Sequence, residues 1–112
     1  MSVDAARANM VHHQVRPQQV TQPKILETLS RLPREDFVPA EYQSLAFAET
    51  FIPLAHGQSM LSPSIEGQML QALNISPSDK ILEVGTGSGY FTALLAKLGQ
   101  HVYSVDCHQD FV

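Results

Sequence analysis

Lys80-Ile81-Leu82-Glu83-Val84-Gly85-Thr86-Gly87-Ser88-Gly89 is the stretch that decides the fold. Lys80 to Val84 reads as a short apolar strand that runs directly into a glycine-rich turn. From Tyr90 to Leu98, the residues Phe91, Leu94, Leu95 and Leu98 recur at i, i+3, i+4 and i+7, the spacing of an amphipathic helix. Gly99 is expected to end that helix as a left-handed cap, and His101 to Asp106 returns as a β-branched and aromatic strand that closes on an acid. Strand, loop, helix and strand make one βαβ unit. A right-handed crossover sets the two strands parallel and brings the loop and Asp106 to the same sheet edge.

Glycine lets such a loop turn sharply and lets its backbone approach a ligand with no side chain between, beside the N–H groups of a helix N-terminus. Asp106 follows Gly85 by 21 positions, close to the spacing of about 20 at which an acid reaches ribose hydroxyls in nucleotide folds. The G-x-G-x-x-G fingerprint of dinucleotide sites is not met: counted from Gly85 its third glycine falls on Tyr90, and counted from Gly87 on Thr92. A Walker loop fails too, because no Gly-Lys pair follows Gly85 at the required distance. The spacing Glu83-x-Gly85-x-Gly87-x-Gly89 instead resembles the first motif of class I methyltransferases. That resemblance implies S-adenosylmethionine, whose amino acid moiety and positive sulfonium suit an acid at Glu83. The fold class expected is α/β: an N-terminal helical segment plus the first βαβ unit of a class I methyltransferase, a truncated Rossmann-like parallel sheet.

Upstream, Ser62 followed by Pro63 reads as a helix N-cap with proline at the first helical position. Ile65, Met69, Leu70 and Leu73 carry that helix on to about Asn74, with Met60, Met69 and Leu70 read as packing. Ser76-Pro77-Ser78-Asp79 is a turn cluster. Glu49 to Leu54 reads as extended, and His56-Gly57-Gln58 as a turn in a binding loop. Three helical pieces precede it. One starts at Ser2 or Asp4 and ends where Pro17 disfavours helical geometry at Arg16. A second follows Pro23, with Ile25, Leu26, Leu29 and Leu32 as its stripe, and a third opens at Pro39 and buries Tyr42, Leu45 and Ala46. The segments drawn are 1–50, a helical cap; 51–79, a substrate and cofactor loop with its helix; and 80–112, the start of the nucleotide-binding part.

Arg34-Glu35-Asp36-Phe37-Val38-Pro39, the run from Ala46 to Leu54, and His56-Gly57-Gln58-Ser59-Met60-Leu61-Ser62-Pro63 together resemble protein-L-isoaspartate O-methyltransferases. Val11 to Pro17 (VHHQVRP) is similar to the N-terminal helix of the bacterial members. The likeness covers nearly the whole chain. It implies S-adenosylmethionine-dependent methyl transfer to the carboxylate of L-isoaspartyl residues in damaged proteins or peptides, the first step of their repair. By motif match, Glu83, Gly85, Thr86, Gly87, Ser88 and Gly89 hold the amino acid end of the cofactor, Asp106 its ribose, Cys107 neighbours the pocket, and Ser59 lies near the methyl-transfer site. The family's Thr-x-Ser ahead of the proline aligns Ser59 with the threonine and Leu61 with the serine. Ser62, one position on, is the nearest hydroxyl, so Ser59 and Ser62 are the candidate catalytic residues. An isoaspartyl carboxylate, with a pKa of about 4, is ionised at neutral pH and needs no strong base; positioning then carries most of the catalysis.

Composition narrows the alternatives. A formal net charge of −4, with seven Lys and Arg spread along the 112 residues, argues against nucleic acid as a partner. The single cysteine, Cys107, excludes an internal disulfide and offers no pair to begin a zinc site. His12 and His13 are adjacent, His56, His101 and His108 lack ligand spacing, and no metal is expected. Tyr90 and Phe91 lie within reach of a bound cofactor, Phe91 being read as core. No membrane span or leader is visible, so a cytoplasmic protein is expected. Asp110-Phe111-Val112 reads as a helix cut short, which predicts a fragment with an unpaired apolar edge on its first strand and a tendency to self-associate. Another methyl acceptor, or a non-catalytic S-adenosylmethionine-binding regulatory module, remains open.

Overall fold

The computed structural model describes residues 2–111. Their elements run α1 (Val3–Met10), α2 (Pro23–Arg31), β1 (Ile52–Pro53), β2 (Ser59–Met60), α3 (Pro63–Leu73), β3 (Lys80–Val84), α4 (Tyr90–Leu98) and β4 (His101–Val105). Short π and 3-10 turns connect them. β3 and β4 pair in parallel from Lys80 opposite His101 to Val84 opposite Val105, as the crossover requires. Side chains alternate across this pair: Ile81 and Val102 pack on the core, while Leu82, Val84, Tyr103 and Val105 stay 49–80% exposed on the other face. Among the described residues β3 pairs with β4 alone.

Gly99 is not a left-handed cap. Its φ of −101° and ψ of −175° are extended, and glycine is required there by space instead. A Cβ would lie 2.7 Å from Ile81 Cδ1 and 3.1 Å from the Asp79 carbonyl oxygen, so the chain turns into β4 hard against the start of β3. At the N-terminus Ser2 caps α1, its hydroxyl accepting from the Ala5 N–H at 3.1 Å. Pro17 does not stop the helical path at Arg16 as expected, since Arg16 keeps right-handed helical angles. Val11–Val15 widen into a π turn, and Pro17 falls in the first turn of a new 3-10 segment, Arg16–Gln18, where its missing N–H costs nothing. The left-handed Gln19 ends that segment.

α3 presents a different face from the one its apolar spacing suggested. Ile65, Met69 and Leu73 are 37–55% exposed, whereas Glu66, Gly67 and Leu70 point inward. Gly67 explains the rotation. A Cβ there would come within 2.7 Å of Val15 Cγ1, so the helix lies closer to the N-terminal layer than any larger residue allows. The hydroxyl of Ser62, at the N-cap, makes no capping bond; the Glu49 carboxylate accepts from the Ser64 N–H at 3.0 Å and from its hydroxyl at 2.6 Å. One cluster of buried side chains runs from Met10 to Leu98, so the segments 1–50, 51–79 and 80–112 share a core. Gln109–Phe111 form a 3-10 turn, and Val112 of the expected terminal helix lies outside the described residues.

Candidate functional site

The loop after β3 turns on glycines held at positive φ: 99° at Gly85, 56° at Gly87 and 88° at Gly89. The Gly85 N–H donates to the Val105 carbonyl at 2.7 Å, which ties the loop to the end of β4. A Cβ at Gly85 would meet nothing within 4 Å, so the loop offers bare backbone to a ligand. Two clefts share Val84 and Gly85. The first, about 280 Å³, lies between Glu83–Ser88 on one wall and Ser59–Leu61 with Glu66 on the other. The second, about 410 Å³, runs past Asp106, Cys107 and His108.

Asp106 and Glu83 flank this backbone. The Asp106 carboxylate accepts from the His108 N–H at 2.8 Å and the Gly87 N–H at 3.1 Å. These bonds, His108 first, hold its carboxyl below the usual range, so Asp106 is ionised at neutral pH. Glu83, on the inward face of β3, accepts from the hydroxyls of Thr92 and of Ser104, the latter at 2.6 Å. Ser104 in turn receives the Thr86 hydroxyl at 2.6 Å. A relay of hydroxyls thus links Glu83 to the loop. The sequence reading named Glu83 and Thr86 but missed Ser104 and Thr92, whose inward alternation on β4 and position on α4 could have pointed to them.

Opposite the loop, Ser59 lines the first cleft, as does Leu61 at the position where the family motif carries serine. Ser62 is buried and lies in neither cleft wall. Tyr90 is fully buried and does not line the clefts, while Phe91 packs on the core and also reaches the first cleft. Behind Leu61 lies a group the sequence reading gave no role. Arg34, from a 3-10 turn at Arg34–Phe37, forms a buried ion pair with Glu66 and donates to the carbonyls of Ala46 at 2.8 Å and Leu61 at 2.9 Å. Its guanidinium stands 4.7 Å from the centre of the Tyr90 ring. Burial pushes the Glu66 carboxyl up to about 7 against the pull of Arg34.

Histidines far apart in sequence also meet. His56, left-handed at φ 61°, stacks on His108 with ring centroids 4.0 Å apart, and its Nε2 lies 2.9 Å from Asp110. The ligand atoms of Asp106, Cys107 and His108 lie within 4.8 Å of one another. The approach of His56 to His108 and Asp110 was not visible in the spacing of the residues. Both carboxylate oxygens of Asp106 already accept backbone N–H groups of the loop and turn, and the residue lines the second cleft. No described helix is long and apolar enough to cross a membrane.

Comparison with known proteins agrees with this geometry. The family model for protein-L-isoaspartate(D-aspartate) O-methyltransferase matches residues 5–112. A protein-L-isoaspartate O-methyltransferase of Aeropyrum pernix is 44% identical over 104 residues, which are 90% of this chain and 40% of that protein. One from Paracoccus denitrificans is 42% identical over 98 residues, 88% of this chain and 45% of its own length. The chain thus spans about half the length of the curated relatives it matches. Among solved structures, a Plasmodium falciparum protein-L-isoaspartate O-methyltransferase in complex with S-adenosyl-L-homocysteine superposes with a TM-score of 0.80 at 19% identity. The match covers 95% of this chain and 51% of that one, and it shows the same fold.

Proposed function

Because this chain belongs to the protein-L-isoaspartate(D-aspartate) O-methyltransferase family, we propose that it supplies the S-adenosylmethionine-binding sheet edge and one acceptor wall for methylating L-isoaspartyl carboxylates in damaged proteins. The observation that carries this reading is the bare Gly85 backbone between two clefts, with Glu83 on one side and the ionised Asp106 on the other. Asp106 keeps acceptor capacity beyond its two backbone bonds, as a carboxylate has about four lone-pair sites, and ribose hydroxyls are its natural donors. Glu83 faces the amino acid end, its negative charge steadied by the hydroxyls of Thr92 and Ser104. Gly85, Thr86, Gly87, Ser88 and Gly89 shape the backbone that receives that end, and Cys107 borders the second cleft. Bound S-adenosylmethionine supplies a methyl group on a positively charged sulfur. The wall at Ser59–Leu61 orients the acceptor, which as a carboxylate needs no base from the protein.

A second reading, methyl transfer to a different acceptor, is favoured by one observation: Leu61 offers no hydroxyl to the cleft, and Ser62 lies outside it. Labelled methyl transfer to matched isoaspartyl and aspartyl peptides separates the two. Preference for the isoaspartyl peptide is expected. Equal or absent incorporation with cofactor binding intact favours the other acceptor.

A further inference from the structure

Arg34 and Glu66 are 0% and 2% exposed, yet they bear opposite charges in the interior, and no part of the reading above gives them a role in transfer. Four parts of the chain converge on this one guanidinium, two through backbone carbonyls and two through side chains. Its Nε donates to the carbonyl of Ala46, its Nη1 pairs with Glu66 on α3, and its Nη2 donates to the carbonyl of Leu61. Its flat face covers the ring of Tyr90, the first residue of α4, directly after Gly89. The same group therefore bonds the acceptor wall at Leu61 and packs on Tyr90, the buried residue that follows the glycine loop. Glu66 itself lines that cleft.

We propose that Arg34, held by Glu66, is a positioning residue that fixes the acceptor wall Ser59–Leu61 against the glycine loop for methyl transfer; this rests on the methyltransferase reading above. The physical case has two parts. A buried ion pair is a poor way to gain stability, because two apolar residues of similar volume commonly serve as well or better. An apolar pair cannot hold the Leu61 carbonyl, however, and the guanidinium holds it at a fixed angle to its other bonds because its five donors form a rigid planar fork. Transfer between two bound groups is steep in distance, so a wall displaced by about 1 Å is worth a hundredfold in rate.

The double variant Arg34→Met/Glu66→Leu tests this, since it removes the charges together and leaves neither charge unpaired. It is expected to melt close to wild type and to bind S-adenosylhomocysteine about as tightly. Its kcat should fall about 100-fold, with the KM for S-adenosylmethionine little changed. Amide exchange at Ser59–Leu61 should quicken by about tenfold, with no change across Leu94–Leu98. A folded double variant with wild-type kcat and wild-type exchange overturns the proposal. Should the double variant fail to fold, Arg34→Lys decides. It keeps the charge for Glu66 but cannot make all three bonds; the same loss of kcat supports the proposal and a wild-type kcat overturns it. The exchange measurement needs no acceptor. If wild type methylates no isoaspartyl peptide, the repair reading falls while faster exchange confined to Ser59–Leu61 still upholds the positioning role, and unchanged exchange removes it.

Discussion

On the glycine-loop wall, Glu83 and Asp106 sit at part-exposed strand ends among hydroxyls and backbone N–H groups; on the facing wall, Arg34 and Glu66 sit in the dry interior. Glu83 and Glu66 line the first cleft and Asp106 the second, and both walls carry charge. They differ in what the charge costs. At the loop, water and short hydrogen bonds hold an acid ionised and leave it able to meet a ligand. In the interior a charge is tolerable only with its partner in place. Damage to the loop wall should therefore show in binding, and damage to the facing wall in stability and geometry.

The largest effect expected is at Arg34. Arg34→Ala leaves Glu66 buried without its partner and strips the carbonyls of Ala46 and Leu61 of a donor, at a cost of about 3–5 kcal/mol by urea unfolding. A loss under 1 kcal/mol by the same measurement would place the pair with exposed ion pairs and erase the contrast between the walls.

Acidity gives the next test. Glu66 is held at about 7 when folded against 4.5 as its ordinary value, with burial pushing it up, Arg34 drawing it back down and the charge of Glu49 adding a smaller push upward. Between these values the native state binds a proton that the unfolded chain does not. Its contribution to stability is thus fully present below 4.5 and is lost as pH rises toward 7, by about 3 kcal/mol across the window. Subtracting the pH dependence of Glu66→Gln from that of wild type should isolate this slope; a flat difference shows that Arg34 holds Glu66 ionised throughout.

Smaller effects follow in order. Gly99→Ala forces a Cβ against Ile81 and the Asp79 carbonyl, and should cost about 1–3 kcal/mol by overpacking, with no change in cofactor affinity. A stabilising result would show that backbone entropy outweighs the contact. The Tyr90 hydroxyl is buried with no hydrogen-bond partner among the described residues. Tyr90→Phe removes an unsatisfied group while keeping the ring beneath Arg34, so thermal melting should shift by about 0.5 kcal/mol or less, or rise. A clear loss would reveal a partner for that hydroxyl.

The two walls also differ in how far the sequence announced them. The loop wall is built within residues 80–106, where a strand, a turn and a helix each leave a local pattern. The boundaries Lys80–Val84 and Tyr90–Leu98 agree with that pattern to the residue, and the second strand ends at Val105, one residue short of the expected Asp106. Gly99 shows its limit: a glycine after a helix suggested a left-handed cap, while the side chain of Ile81, 18 residues earlier, decides the matter through space. The facing wall has no local signature, because Arg34 and Glu66 stand 32 positions apart and meet only once the N-terminal layer has packed on α3. Apolar spacing likewise misjudged α3, where the tight approach of Gly67 to Val15 turns Met69 outward and a charged residue inward. His56 and His108 stack for the same reason of distance.

The sheet edge as the seat of cofactor binding is most directly tested by calorimetric titration of the protein with S-adenosylhomocysteine, in wild type and in Asp106→Ala. Wild type is expected to bind. The variant should keep its melting temperature and lose about 10- to 100-fold in affinity, the weight of charge-assisted hydrogen bonds to the ribose. Equal affinity in the two proteins would contradict the assignment and take Asp106 out of the site.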